Sequence, residues 1–212
     1  MSEPALETGG VSPELREEFP ALSLRHVTVN LGSGKSTRAL RERLSVLSDR
    51  FSGPQAVNLR NQPIPWAYRV FYRHIGLDPD VQRTPVEELA LERMRAGGFK
   101  SQNRLDDALT IAIIESGVAL GALDADRVAG GLEIRGSLAG EALEGRPGDL
   151  PPGTLVIADQ ARPLCLLFGA LASGRGVSPK TKRTLLFAIG VGGVPDIAIE
   201  EALWLAAESL QG

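Results

Sequence analysis

Apolar and polar positions alternate through LSLRHVTVNL, residues 22–31, and β-branched side chains recur there, which predicts a strand. The period then changes. Leu40, Leu44 and Leu47 recur at helical spacing, and the helix runs to about Arg50. The two prolines of NLRNQPIPWAY, 58–68, impose extended or turn geometry ahead of a short helix around 66–75. TPVEE, 84–88, reads as a helix start: Thr84 caps, Pro85 suits the first helical position and Glu87 completes a capping box. That helix ends at Gly97-Gly98. Asn103 caps the next, RLDDALTIAIIES, which buries Leu105, Ala108, Leu109, Ala112 and Ile113 and stops at Gly117.

Beyond Gly117 the texture becomes strand-like. GLEIRGSL, GTLVIAD, RPLCLLF and TLLFAIGV are short apolar runs separated by Gly, Pro and Asp, and several read as strands buried on both faces. A last helix follows Asp196, with Ile197, Ala198, Leu203 and Leu210 on its apolar side. The order is neither strictly alternating nor all-β, so the expected class is α/β of the α+β kind, a mixed sheet flanked by helices. Residues 1–10 read as a disordered tail and 11–212 as one domain.

Composition narrows the chemistry. With 43% hydrophobic and 23% charged residues the chain has the balance of a soluble globular protein, and no apolar run approaches the ~20 residues that span a bilayer. A single cysteine, Cys165, removes any internal disulfide framework and any cysteine-cluster zinc site. His26 and His74 lack metal-ligand spacing, so neither metal nor cofactor is expected. The polar, acidic start MSEPALETGG has neither signal-peptide nor transit-peptide character, and the expected compartment is the cytoplasm.

The segment VTVNLGSGKSTRAL, 27–40, has the look of a nucleotide-phosphate loop between strand and helix. Such a loop needs a glycine five positions before Gly34-Lys35, where the backbone curls to aim N–H groups at phosphates. That position is Val29, inside the strand. The expected structure is a Gly-Ser turn with Lys35 in solvent and Ser36 or Thr37 as helix cap. Asp106 and Asp107 project about 100° apart on their helix and cannot share one face as an acid/base pair. No GxSxG elbow is present, and Cys165 in LCLLF reads as core. Trp66, Tyr68, Arg69 and Arg73 fit either a nucleic-acid grip or packed aromatics under a solvated arginine face.

In a chain of net charge −3, basic residues gather in two places. One group runs from Arg60 to Arg104; the other is Lys180, Lys182 and Arg183 around Thr181. Two such clusters point to a phosphate-facing side as readily as to a scattered solvated surface.

A family resemblance adds what periodicity does not supply. RMRAGGFKSQNRLDDALTIAIIESGVALGALDADRV, from Arg93, resembles the run R-L-x-x-x-G, N-x-x-V-D-x-x-N, G-x-P-x-H-A-F-D of the β subunit of bacterial phenylalanyl-tRNA synthetase, with Asn103, Gly117, Ala122 and Asp124 in register. LEIRGS is similar to that family's V-V-R-x-A strand, LVIAD to its V-I-A-D strand, and SPKTKRTLLF to its V-x-x-x-T-K-N-V-L-L segment. VSPELREEFPAL resembles the opening of free-standing relatives. The likeness is to the B3/B4 domain, the tRNA-editing module, and it runs over roughly 11–211. It implies the B3/B4 fold and makes LGSGKST the turn after a strand rather than a nucleotide cradle.

The resemblance also implies a site. Asn103, Asp107, Thr110, Gly121, Ala122, Asp159, Phe168 and Phe187 would line a substrate pocket, with Gly121 admitting close backbone approach, and Lys180, Thr181, Lys182 and Arg183 would hold the terminal nucleotides. Departures from the family pattern fall at Thr110, Gly121 and Phe187, which replace an Asn, a His and a Glu, and in LCLLFGA, which replaces L-C-R-R-W-N-W. With an apolar ring where the acid stood, the site has no partner for a tyrosine hydroxyl and gains no preference for Tyr over Phe. The implied activity is that of a stand-alone deacylase hydrolysing the ester of a mischarged tRNA, with no catalytic side chain marked out. The implied partners are the acceptor end of that tRNA and components of the translation machinery, with no membrane. A non-catalytic module binding tRNA or an amino-acid-like ligand is the alternative, and a phosphate-loop enzyme a distant third.

Overall fold

The computed structural model describes residues 5–51 and 53–212. It begins with two short strands, β1 (Leu6–Thr8) and β2 (Gly10–Val11), where the sequence predicts a disordered tail over 1–10. Residues 1–4 lie outside the described residues. Strands this short carry no readable alternation. Their place is set by partners, with Gly9 N donating to Leu24 O at 2.8 Å and Gly10 N to Leu132 O at 2.7 Å.

Next come α1 (Pro13–Glu18), β3 (Ser23–Val29), α2 (Arg38–Arg50), α3 (Gly53–Asn58), α4 (Pro63–His74), α5 (Pro85–Ala96) and α6 (Arg104–Ser116). β4 (Ala119–Asp124), β5 (Glu133–Gly136), β6 (Leu155–Ala158), β7 (Pro163–Leu166), β8 (Thr184–Gly190) and α7 (Asp196–Gln211) complete the order. Local chemistry explains the boundaries. Thr37 caps α2 by accepting from Leu40 N at 3.1 Å, and Asn103 caps α6 by accepting from Asp106 N at 3.0 Å. Glu87 reaches back to Thr84 N at 3.3 Å, as the capping box predicts. Gly97 and Gly117 close α5 and α6 with φ of 71° and 74°. α4 starts at Pro63, earlier than predicted, because a proline is well placed at the first helical position, where no N–H is required.

The strands divide into two sheets, which together give the mixed pairing expected of an α+β fold. One has the order β1-β3-β8-β4 with antiparallel neighbours throughout. The other is β2-β5-β6-β7, with β2 parallel to β5 and the remaining pairs antiparallel. β8 is buried along its whole length, which is why TLLFAIG lacks alternation. A single apolar cluster joins the two sheets: Val27, Leu186 and Ile189 of the first meet Ile134, Ile157 and Leu164 of the second, with Ala202, Leu203 and Ala206 of α7. Among the described residues β4 pairs only with β8, so one of its edges stays open. Among the described residues no helix is long and apolar enough to cross a membrane.

Candidate functional site

A hollow of about 530 Å³ lies beside that open edge. Ala119–Ala122 of β4 and Phe187 and Ile189 of β8 form one side. Leu105, Asp106 and Leu109 from the first turns of α6 form another, and Pro85 and Glu88 from the start of α5 a third. Cys165 and Phe168, at and just after β7, and Gly176-Val177 close it. The walls are mainly apolar; Arg83, Glu88 and Asp106 supply its charged side chains, with Arg83 4.0 Å from Glu88.

Gly121 and Phe187 stand directly opposite each other across β4 and β8. A Cβ on Gly121 would sit 2.3 Å from Phe187 Cζ, so the phenyl ring lies over the glycine. The side of Gly121 where a Cβ would project is taken by Phe187, so the ring by itself requires a glycine there. Two of the positions that depart from the resembled pattern, Gly121 and Phe187, are thus in contact, an aromatic ring sheltering a glycine on an edge strand.

Phe168 is the non-glycine residue with positive φ among the described residues, at 57°. Its ring is held by Tyr68, Phe71 and Tyr72, with centroids 5.9, 6.0 and 5.0 Å away. Strain of this kind persists where packing over-determines it, and it clusters at functional sites. Tyr68 also joins the two strands of the site: its hydroxyl donates to Ile189 O at 2.5 Å and accepts from Ala119 N at 3.1 Å. Burial pushes the Tyr68 phenol up, so it remains the donor. Tyr68 is thus core, and Arg69 is buried in ion pairs with Asp80 at 2.5 Å and Glu87 at 2.7 Å. Only Trp66, with Arg73 5.6 Å over its ring, keeps the exposed character of a grip.

The backbone supplies donors. Asp124 N turns away from β8 and donates to Arg175 O at 2.9 Å, whereas Ala119 N faces β8 through the Tyr68 hydroxyl. By the two-residue period of a strand, Leu120 and Ala122 present their N–H groups on the same side as Asp124, along the open edge toward the hollow. Cys165 lines the same space, but burial pushes its thiol up to about 12, so it is no thiolate nucleophile at neutral pH.

Of the residues predicted from sequence, Gly121, Ala122, Phe168 and Phe187 line the hollow. The others stand elsewhere. Asn103 is the α6 cap, and Thr110 lies one turn beyond Asp106 without lining the space. The Asp107 carboxylate is consumed by Ser36 Oγ at 2.5 Å, Ser101 Oγ at 2.6 Å and Gln102 N at 3.0 Å. Asp159 accepts from Ala129, Ala161 and Arg162 N–H groups at 2.8–2.9 Å and shapes the turn after β6. Burial raises its carboxyl pKa, but those three donors outweigh burial and hold it below the usual carboxylate range. Thr181 is buried and donates to Asp124 Oδ2 at 2.7 Å, and Arg183 pairs with Asp126 at 3.1 Å. Lys180 and Lys182 are exposed.

The LGSGKST turn is likewise consumed internally. A Cβ on Gly32 would meet Thr181 O at 2.0 Å, Gly34 O accepts from Arg104 N at 2.7 Å, and Lys35 is exposed. Sequence reasoning missed Arg83, Glu88 and Asp106. A signal existed for Asp106: if it lies about 100° from Asp107 on the helix, only one of them enters the core.

A second groove, of about 650 Å³, lies between α1 and the ends of β5 and β6, lined by Glu14, Glu18, His74 and Arg135 among others. None of the residues predicted from sequence lines it. Arg135, its strongest cation, is held by both Glu141 carboxylate oxygens at 2.6 and 2.8 Å.

The architecture is therefore a two-sheet α+β domain with a pocket at a strand edge. Residues 67–194 match the family described as B3/4 domain, and the chain belongs to that family. The hollow, built from residues between 83 and 189, falls within the matched span, whereas VSPELREEFPAL precedes it. Curated relatives include phenylalanine–tRNA ligase β subunits. That of Hahella chejuensis is 33% identical over 105 residues, which is 48% of this chain and 13% of that protein. Those of Yersinia pestis and Pasteurella multocida are 35% and 36% identical over 100 residues, 45% of this chain and 12% of each. The resemblance to the β-subunit domain is borne out, and the chain spans about an eighth of the length of these relatives.

Proposed function

We propose that the hollow receives the aminoacyl group at the acceptor end of a charged tRNA and hydrolyses its ester. The observation that carries this is the open edge of β4, where the Leu120 and Ala122 N–H groups face an apolar space. One such N–H group can donate to an ester carbonyl as its oxygen gains charge in the tetrahedral intermediate; the other, about 6.6 Å along the strand, is left for a second acceptor of the substrate. Phe187, Leu109 and Phe168 give the amino-acid side chain an apolar seat, and the Asp106 and Glu88 carboxylates face its ammonium group. No covalent enzyme intermediate is required: water adds to the ester carbonyl, the ribose oxygen leaves with a proton, and the free amino acid and uncharged tRNA are released. An aminoacyl ester is already reactive, the vicinal ribose hydroxyl activates a bound water, and the protein contributes position and charge stabilisation.

The Phe187 ring offers no partner to a phenolic hydroxyl, so apolar amino acids are the ones this reading favours. The test is a panel of aminoacylated tRNAs. Time-dependent ester loss from apolar charges, with no preference for tyrosyl over phenylalanyl ester, is the expected result. Binding of the same tRNAs without turnover of any ester replaces the deacylase with a non-catalytic binding module. Thermal stabilisation by ATP or GTP would restore the phosphate-loop reading.

A further inference from the structure

A smaller groove of about 220 Å³ lies between α3 and α5, lined by Val57, Arg60, Leu91 and Met94, and Arg83 borders both this groove and the hollow. The two cavities therefore meet at one arginine. Val57 and Met94 are 61% and 50% exposed, so the groove presents apolar surface to solvent beside its two arginines. Arg60 makes no ion pair among the described residues, its charge acting on Asp80 only at longer range, and Arg83 meets Glu88 only at 4.0 Å. Glu87, the acid of the groove, is neutralised by Arg69 at 2.7 Å.

We propose that this groove holds the terminal nucleotides of the acceptor strand, bases against Val57 and Met94 and phosphates against Arg60 and Arg83, while the aminoacyl group enters the hollow. The inference rests on the deacylase reading for the path it assigns, but its binding chemistry is separate. Single-stranded RNA follows positive charge along its backbone, which Arg60 and Arg83 supply; the groove has aliphatic rather than aromatic surface for the bases, so the phosphate contacts carry most of the binding. The Lys180–Arg183 segment offers less. Thr181 is buried and Arg183 is paired, which leaves Lys180 and Lys182 as its exposed cations.

The experiment measures binding of uncharged total tRNA by the full chain at several salt concentrations, using tRNA with its 3′ CCA intact and the same tRNA with CCA removed. For intact tRNA, Arg60→Ala is expected to weaken binding about fivefold at low salt and to reduce the slope of log affinity against log salt by about one. Lys180→Ala/Lys182→Ala should bind as the unaltered chain does. Removing CCA should abolish the difference between Arg60→Ala and the unaltered chain. Unchanged binding by Arg60→Ala overturns the proposal, as does an equal loss on tRNA lacking CCA. Arg60-dependent, CCA-dependent binding by a protein that turns over no ester leaves this groove standing and removes only the deacylase.

Discussion

Asp106 and Asp107 are neighbours on α6 and belong to opposite kinds of structure. Asp107 is 1% exposed and spends its carboxylate on two serine hydroxyls and a backbone N–H, tying the LGSGKST turn and the Ser101-Gln102 segment to the helix. Asp106, one position earlier, borders a hollow whose walls are apolar side chains and strand backbone. The contrast teaches that the residues which look most chemical in the sequence are those the fold consumes. The hollow is made from what looks inert: an edge strand, two phenyl rings and a glycine.

The sharpest way to break this comparison is to remove one backbone donor from the hollow. In Ala122→Pro the lost N–H is on the open edge rather than in the β8 ladder, so strand pairing is retained. Turnover should fall about 10²- to 10³-fold with little change in melting temperature, because an oxyanion donor is lost. An unchanged rate would take Ala122 out of the chemistry. On the other side of the comparison, Asp107→Ala strands Ser36, Ser101 and the Gln102 N–H without an acceptor. About 3 kcal/mol of stability should be lost, read by denaturant unfolding, with deacylation per folded molecule unaltered.

Gly121→Ala joins the two regimes, since the added methyl runs into the Phe187 ring. About 2 kcal/mol should be lost to overpacking, and Phe187→Leu should recover part of it, so that a double-mutant cycle shows coupling between the positions. Additive losses would mean that ring and glycine are independent.

The smallest effect is in acid. Asp159 is held below its unfolded value, so its contribution to stability is present above about pH 4 and is lost as pH falls through the folded value. Unfolding curves between about pH 5 and pH 2 should therefore be steeper for the unaltered chain than for Asp159→Asn.

Much of the fold is legible in the sequence, because caps and periodicity are local. Thr37, Asn103 and the Thr84–Glu87 box sit at the starts they predict, and Gly97 and Gly117 at the stops. β1, β2 and β4 are not legible. The first two are held by hydrogen bonds to distant Leu24 and Leu132, and β4 is completed by its register with β8. The site divides the same way. The family pattern identifies positions 121, 122, 168 and 187 by their departures and spacing. It also points to Asp107 and Asp159, and nothing in a linear pattern tells a carboxylate that binds a ligand from one that binds its own backbone. Glu88 on α5 and Arg83 just before its cap escape because they come from a different part of the chain, and only the packing of the start of α5 near β4 brings them to the rim.

The most direct test of the central claim is an amide NMR titration with a non-hydrolysable mimic of the charged terminus, adenosine carrying leucine through a 3′-amide. The account predicts shifts concentrated at Leu120, Gly121 and Ala122, with Gly176 and Val177 following. Shifts confined to the groove between α1 and β5, or saturating binding that leaves Leu120 and Ala122 unmoved, would contradict it.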